Sequence, residues 1–345
     1  MALAVNLKVL EKKIISLKEL ANFGLTENLN EQARSLLAQQ KATWETVAQN
    51  YEALNRVQTR TFNFGHFKIV AQFNPGRIRS SAAKTDAQSI SERPCFLCIE
   101  NLPTEQKGIL FQNNYLILTN PYPIFSEHLT ISRLDHTPQQ IRPHFSEMLD
   151  LSKELQSFTL FYNGPKCGAS APDHFHFQAG VKGIMPLEQE ISSLENQFSE
   201  VLNQNKKLKM IAVKNYLRNF IAFISNDKNE IQQNFEFLYK NLKTDSTEEP
   251  MMNILCYFEN NTWRIIIFPR EKQRPSHFYR NDEHRILVSP AAAELGGILI
   301  LPEKNDFEKI TKKEIEEIYG EVTLNKQEFR ELCLVLKNRQ HLPQP

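Results

Sequence analysis

The stretch GASAPDHFHFQAG, from Gly168 to Gly180, sets two histidines and a glutamine at alternate positions, with phenylalanines between them. Successive side chains of a β-strand point to opposite faces, so His174, His176 and Gln178 are expected to share one face. The phenylalanines would then pack against a core. The pattern predicts a core-backed strand with a polar working face, although a half-exposed strand whose histidines only meet water gives the same alternation.

Length and charge limit the possible functions. A chain of 345 residues exceeds what one hydrophobic core usually serves, which predicts two domains or one duplicated domain. The 41 basic and 40 acidic residues give a net charge of +1, so no overall field favours nucleic acid or an anionic membrane surface. A small molecule is therefore the expected partner.

Cysteine content and the first residues indicate a cellular compartment. Five cysteines, an odd number, are typical of free thiols in the cytoplasm rather than of a disulfide framework. Lys8, Glu11, Lys12 and Lys13 interrupt the apolar run that a signal peptide needs. Since no apolar run approaches the ~18 residues of a membrane span, we expect a soluble cytoplasmic protein with no membrane partner.

The hydrophobic spacing changes along the chain. Apolar residues recur at helical intervals in the first sixty positions, which predicts N-terminal helices without an assigned function. From Phe64 onward we expect short strands and, after Pro143, an amphipathic helix; the strand-like runs are FKIVAQF, YLILTN, HLTIS and FTLFYN. A polar, helix-prone section follows Gly180, and further strand-like runs come after it: MMNILCYF, WRIIIFPR, ILVSP and GGILILPE. The order predicts an α+β fold with mostly antiparallel sheets.

Two segments share the same order of features: a strand, a basic residue and a downstream histidine. They are LTISRLDH and IIIFPREKQRPSH, and their similarity indicates a weak internal duplication. The second copy has no HxHxQ. We therefore expect a second repeat that has lost the chemistry.

The segment RPCFLC, from Arg93 to Cys98, presents two thiols on one turn. Zn²⁺ takes such a pair with two further ligands, often histidines. A redox dithiol and two ordinary buried cysteines are the alternatives, although a redox dithiol usually opens a helix, whereas Asn-Leu-Pro follows here. The candidate partners are His128, His136, His144 and His174.

Two loops have the composition of phosphate-binding segments. In YNGPKCGAS the glycines allow backbone N–H groups to approach a phosphate, while Lys166 and Ser170 can add a charge and a hydroxyl. The segment FNPGRIRSSAAK carries three basic side chains that could clamp a polyphosphate: Arg77, Arg79 and Lys84. An ordinary turn and an exposed basic loop are the alternatives.

Read together, NPYPIFSEHLTI, RPCFLC, LDHTPQQI and NGPKCGASAPDHFHFQ resemble the nucleotidyltransferase branch of the histidine-triad superfamily. That branch holds galactose-1-phosphate uridylyltransferase, diadenosine tetraphosphate phosphorylase and GDP-L-galactose phosphorylase. The resemblance runs from about Lys68 to the C-terminus; IVAQFNPGR and YGEVTLNKQEF are most similar to GDP-L-galactose phosphorylase, and CFLC with its histidines is similar to the uridylyltransferase zinc site. The whole also resembles an uncharacterised bacterial family of this branch.

The resemblance implies duplicated histidine-triad-like domains preceded by helices. We expect an N-terminal helical segment over 1–62, a catalytic domain over 63–210, and a catalytically degenerate domain over 211–345.

The resemblance also implies roles for individual residues. His176 would be the nucleophile that takes a nucleoside monophosphate, and Gln178 would hold the non-bridging phosphate oxygens. A structural Zn²⁺ would be bound by Cys95, Cys98, His136 and His174. Nucleotide and phosphate binding would fall to Arg77, Arg79, Asn163, Lys166 and Ser170. The motif departs from the uridylyltransferase pattern at Asp173, Phe175 and Phe177, which leaves base and sugar open.

The predicted reaction moves a nucleoside monophosphate from a nucleotide sugar, of the GDP-hexose kind, to phosphate or a sugar phosphate through a covalent nucleotidyl-histidine. A neutral imidazole suits the first attack because direct displacement between two anions suffers charge repulsion. The second ring nitrogen of His176 is expected to donate to a backbone carbonyl. Hexose-1-phosphate uridylyl transfer, dinucleoside polyphosphate phosphorolysis and a non-catalytic nucleotide-binding module remain open, and a homodimer is possible.

Overall fold

The computed structural model describes residues 7–83, 86–243 and 249–339, without the side chains of residues 79, 80 and 87. The strands are β1 (Gln58–Asn63), β2 (Lys68–Phe73), β3 (Gly108–Phe111), β4 (Tyr115–Thr119), β5 (His128–Arg133), β6 (Phe158–Asn163), β7 (His176–Val181), β8 (Ser199–Gln204), β9 (Leu208–Val213), β10 (Phe220–Ser225), β11 (Met252–Glu259), β12 (Thr262–Pro269) and β13 (Ile298–Leu301). The helices are α1 (Leu7–Lys13), α2 (Leu17–Leu20), α3 (Leu29–Thr43), α4 (Glu45–Leu54), α5 (Ile78–Ser81), α6 (Ala87–Ser91), α7 (Phe145–Glu154), α8 (Pro186–Gln197), α9 (Lys228–Asn241), α10 (Ser276–Tyr279), α11 (Ala292–Leu295), α12 (Lys304–Lys309), α13 (Lys312–Val322) and α14 (Lys326–Asn338).

Ten strands form one antiparallel sheet in the order β3-β4-β5-β7-β6-β11-β12-β10-β9-β8. Each half contains three consecutive strands, a helix and a hairpin, and the two halves meet where β6 pairs with β11. The second half therefore repeats the topology of the first in mirror order along the sheet, which confirms the predicted α+β fold and its duplication.

Both faces of the large sheet are covered. One face packs against α3, α7, α9 and α14 through a core that includes Phe177 and Phe235. The opposite face packs against α8, α13 and a three-stranded sheet in which β2 pairs with β1 and, in parallel, with β13. Burial on both faces explains why the central strands are almost continuously apolar.

Three predicted features differ from the structure. The helix-prone section after Gly180 contains α8 but also β8, β9 and β10, which the sequence pattern did not predict. The run ILVSP forms no strand; Ile286 N instead donates to His277 O in α10, and Leu287 N donates to the Asp306 carboxylate. The HxHxQ strand begins at His176, so His174 precedes it.

The domain boundaries 1–62, 63–210 and 211–345 stay a prediction. The sheet order groups β8 and β9 with the second repeat, and β1 begins at Gln58. In the described ranges, no helix combines the length and apolar character needed to cross a membrane.

Candidate active site and metal centre

Strand β7 separates its apolar and polar side chains as the alternation predicts. Phe177 and Ala179 are fully buried in the core beneath α7. His176 and Gln178 point to the opposite face and line a cavity of about 640 Å³. Pairing with β5 places Ser132 beside His176 and Thr130 beside Gln178, which fixes the position of both polar side chains along the sheet.

Hydrogen bonds define the tautomer of His176. Its Nδ1 lies 2.9 Å from the carbonyl oxygen of His174, and a carbonyl can only accept, so Nδ1 carries the proton. The Nε2 lone pair is then free on the cavity side. Burial lowers the pKa of His176, which keeps the ring neutral.

Gln139 holds the backbone on either side of this ring. Its side chain accepts from His176 N at 2.8 Å, and donates to His176 O at 2.9 Å and Asn163 O at 3.0 Å. Behind it, the Tyr162 hydroxyl lies within hydrogen-bond distance of both the main-chain carbonyl oxygen of Gln139 and the Glu249 carboxylate. Burial raises the pKa of Glu249 to about 7.

His128 orients the amide of Gln178. The Ile124 N–H donates to His128 Nδ1 at 3.2 Å, so the proton of this neutral ring is on Nε2. That Nε2 lies 3.0 Å from Gln178 Oε1 and donates to it. The amide N–H₂ of Gln178 is therefore the group left for a ligand. Burial, followed by the nearby Arg77 cation, lowers the pKa of His128 to about 3 and keeps it neutral.

Asn163 is oriented by the second repeat. Its Oδ1 accepts from Ala292 N and from Asn253 Nδ2, both at 2.8 Å. Asn253 Nδ2 also donates to Cys167 O at 2.8 Å, while Asn253 Oδ1 accepts from the buried Arg270 guanidinium. With its oxygen engaged twice, Asn163 keeps its N–H₂ for a small recess that Ser170 and Gln178 also line.

The loop between β6 and β7 requires a glycine at its turn. Gly168 has φ +92°, and a Cβ there would lie 2.5 Å from Ala291 Cβ. The close approach brings the loop against α11. Beyond this turn Ser170 lines both the recess and the cavity, whereas Lys166 is exposed.

The cavity has contributions from both the N-terminal helices and the CxxC turn. Trp44, at the junction of α3 and α4, and Thr46 form part of one wall. The apolar members of the lining include Phe96, Leu97, Leu102, Pro103 and Leu118. The polar amides are Asn101, Gln106 and Asn120. The N-terminal helices, to which the sequence assigned no function, thus help to enclose the site.

Arg77 lies between the cavity and the recess. Its Nη1 donates to Tyr122 O at 2.7 Å, and the residue lines both spaces. Two other predicted phosphate-binding residues cannot be placed: the side chain of Arg79 and all of Lys84 lie outside the described part of the structure. Arg77 is thus the member of the predicted basic clamp whose position is defined.

The four predicted metal ligands converge. The ligand atoms of Cys95, Cys98, His136 and His174 all lie within 4.8 Å of one another. Cys98 Sγ is 3.1 Å from His136 Nδ1, and Cys95 Sγ is 3.3 Å from His174 Nδ1. A tetrahedral Zn²⁺ with ~2.3 Å bonds to sulfur and ~2.1 Å bonds to nitrogen would set its ligand atoms about 3.3 to 3.8 Å apart, so this donor set fits such an ion.

Neighbouring groups hold both imidazoles in the metal-binding tautomer. His174 Nε2 donates to Arg133 O at 2.7 Å, and His136 Nε2 faces Asp173 Oδ2 at 3.6 Å, which leaves each Nδ1 free as a ligand. Burial, followed by the adjacent Cys95 thiol, raises the pKa of Cys98 to about 12. A bound cation would reverse this preference by stabilising the thiolate.

The other two candidate ligands serve elsewhere. His128 contacts Gln178, and His144 Nδ1 lies 2.7 Å from Glu147 Oε2. The arrangement of the four converging ligands favours a metal centre over a redox dithiol.

Comparison with protein families divides the chain in the same way as the sheet. Residues 36–181 match a domain of unknown function, DUF4922, and residues 192–340 match the family described as "GDPGP1-like, C-terminal domain".

The sequence has no match among curated proteins. Among solved structures, yeast Ap4A phosphorylase Apa2 is 14% identical over 81% of this chain and 97% of its own, with a TM-score of 0.53. A uridylyltransferase mutant is 12% identical over 74% of this chain and 94% of its own, with a TM-score of 0.38. The second repeat is thus similar to GDPGP1-like C-terminal domains, and the fold of the whole chain is similar to that of the yeast Ap4A phosphorylase.

Several residues of the site are not apparent from the sequence. They are Trp44, Arg93, Gln139, Asn253 and Arg270, and His128 was considered only as a metal ligand. Gln139 and Arg270 lie in segments quoted above, but the sequence patterns assign no role to any of these side chains, because each reaches the site through strand pairing or loop packing. Arg93 was the easiest of them to predict from the sequence, since it is the first residue of the quoted RPCFLC segment.

Proposed function

We propose that this protein is a nucleotidyltransferase of the histidine-triad superfamily that carries a nucleoside monophosphate on His176. The observation that carries the proposal is the hydrogen bond from His176 Nδ1 to the His174 carbonyl, because it means that Nδ1 carries the proton and Nε2 does not. A neutral ring with a free Nε2 lone pair beside a nucleotide-sized cavity is suited to nucleophilic attack, and a module that only binds nucleotides has no need of it.

The reaction proceeds in two displacements. His176 Nε2 attacks the α-phosphorus of the nucleotide sugar and the N–P bond forms. The bond from this phosphorus to the bridging oxygen breaks, and the sugar phosphate leaves with that oxygen. An oxygen of the second substrate then attacks the same phosphorus and breaks the P–N bond. Nδ1 keeps its proton and its hydrogen bond to the His174 carbonyl throughout, and the N–H groups of Gln178 and Asn163 stabilise the non-bridging oxygens.

Zinc is the proposed metal of the Cys95, Cys98, His136 and His174 set. Two thiolates and two imidazoles are the ligands of closed structural zinc sites. When bound, the ion would supply structural stabilisation, holding the CxxC turn against His174 and thereby the start of β7.

The proposed donor is a nucleotide sugar of the GDP-hexose kind, with phosphate or a sugar phosphate as the acceptor. Support comes from the match of residues 192–340 to the GDPGP1-like C-terminal domain. Phosphorolysis of a dinucleoside polyphosphate is the second candidate, because the fold is similar to that of a yeast Ap4A phosphorylase. A cytoplasmic location is supported by the five free cysteines, and a homodimer stays a prediction.

Intact-mass measurement tests the covalent step. The protein is incubated with GDP-glucose, UDP-glucose or Ap4A and no acceptor, and we expect one nucleoside monophosphate to be added and to be removed by acid. His176→Gly should show no adduct, whereas His284→Gly, which changes an exposed histidine, should behave as the wild type. An adduct that persists in His176→Gly would refute the nucleophile, and inorganic phosphate that fails to discharge the adduct would exclude a phosphorylase.

A further inference from the structure

Arg93 lies between the metal centre and the phosphate loop. Its Nη2 donates to Asp173 Oδ1 at 2.9 Å and lies 3.4 Å from Ser170 O. The guanidinium carbon is 5.1 Å from the centre of the Phe96 ring. Arg93 lines the same cavity as His176 and Gln178, so the cation is held at the wall of the transfer site.

One end of this guanidinium is incompletely used. Among the described residues, Nη1 of Arg93 is buried and has no hydrogen-bond partner. A buried, charged N–H group without an acceptor is costly, and such donors in native structures usually serve a ligand or an ordered water. The unused donor marks a position where an acceptor is expected.

The charge on Arg93 is also only partly balanced. Asp173 faces Arg93 with Oδ1 and His136 with Oδ2 at 3.6 Å, so one carboxylate serves both the arginine and a predicted metal ligand. The lining of the cavity contains no carboxylate among the described residues, and it contains a second arginine, Arg77. The site is therefore poised for an anion.

We propose that Arg93 binds a non-bridging phosphate oxygen of the nucleotide through Nη1. This inference rests on the proposed function and extends it by adding a phosphate contact from outside the predicted basic segment. Asp173 holds the guanidinium in place, since Nη2 bonded to the carboxylate leaves the other edge of the planar fork for the ligand. The pairing of Arg93 with Asp173 gives the acidic residue before the first histidine of HxHxQ a function.

Binding of nucleoside monophosphates against nucleosides tests the contact. Calorimetric titrations use GMP, AMP and UMP and, for comparison, guanosine, adenosine and uridine. A charge-assisted hydrogen bond predicts that Arg93→Met weakens binding of the preferred monophosphate by roughly 10- to 100-fold, with nucleoside affinity changed less than about twofold. Arg142→Met, which removes an exposed arginine paired with Glu236, is the matched control.

Arg93→Lys separates geometry from folding. Lysine can keep the ion pair with Asp173 but cannot bond the carboxylate and a phosphate with the two ends of one planar fork, so we expect full metal content, an unchanged melting temperature and weakened monophosphate binding. Two results would overturn the role of Arg93 and leave the proposed function intact. One is an equal loss of affinity for the monophosphate and the nucleoside, and the other is wild-type affinity for the monophosphate in both variants. A wild-type protein that binds none of the three monophosphates would overturn the proposed function as well.

Discussion

Asn253 offers a test of the second repeat, because it controls a donor in the site without lining the cavity or the recess. Asn253→Asp keeps the oxygen that accepts from Arg270 and removes the N–H₂ that donates to Asn163 Oδ1 and Cys167 O. An oxygen of the new carboxylate then faces the Asn163 oxygen. This repulsion changes the orientation of the Asn163 amide.

Either response of Asn163 costs a phosphate donor. If its amide rotates, the N–H₂ turns toward the Ala292 N–H, which is also a donor, and the oxygen turns into the recess where a phosphate would lie. If it stays, two oxygens face each other in a buried site. A hydrogen bond to a charged group contributes about 1.5 to 3 kcal/mol, so the rate of nucleotidylation should fall roughly 10- to 150-fold.

Rapid-quench mass spectrometry with the donor that the wild type accepts best measures this rate. Asn260→Asp provides a control of equal charge, since Asn260 is exposed in the turn of the same β11–β12 hairpin. We expect the control to react within about twofold of the wild type. If Asn253→Asp reacts as fast as Asn260→Asp and is equally stable, Asn163 is not oriented by the second repeat.

Three further predictions concern the clamp, the metal and the buried acid. Arg77→Lys should weaken nucleotide binding although it keeps the charge, and titration that finds equal affinity would make the 73–84 segment an ordinary basic loop. Cys98→Ser should lower both the metal content, about one zinc per chain in the wild type by elemental analysis, and the melting temperature; unchanged thermal stability would contradict a structural ion. Because the folded-state pKa of Glu249 is about 7, above its ordinary 4.5, its protonation stabilises the fold fully below about pH 4.5, and this contribution is lost as the pH rises through 7. Urea unfolding should show a decrease of at most ~3 kcal/mol between pH 5 and 8 that Glu249→Gln removes, and an identical pH dependence in the variant would contradict it.

The sequence predicts elements whose own residues decide their structure. The alternation around His176 and the apolar runs of β4, β5, β6, β11 and β12 identify strands because burial on one or both faces leaves a direct pattern. Strand β8 leaves none: it is an edge strand of SEVLNQ, half-exposed and rich in residues that also suit helices. Its pairing with β9 decides its conformation, so composition alone favours the wrong element.

The candidate site likewise has a part that the sequence predicts and a part that it does not. The spacing in CxxC and HxHxQ points to candidate metal ligands and paired histidines because these groups are close in the sequence, and the family resemblance implies their individual roles. The orientation of Gln178 depends on His128, 50 positions earlier, and becomes apparent only when β5 pairs with β7. Amide orientation is a property of the whole hydrogen-bond network, which a sequence does not display.

The central pairing of β6 with β11 explains why a repeat without HxHxQ is part of the active protein. Asn163 ends β6, and both groups that fix its oxygen, Asn253 and the Ala292 N–H, come from the second repeat. Arg270 in turn holds Asn253 through a guanidinium that is buried among second-repeat carbonyls. A first repeat alone would expose the edge of β6 and leave the Asn163 amide free to turn its oxygen toward an anion. If His176 is the nucleophile as proposed, the second repeat lacks one of its own and contributes by directing the Asn163 donor at the phosphate.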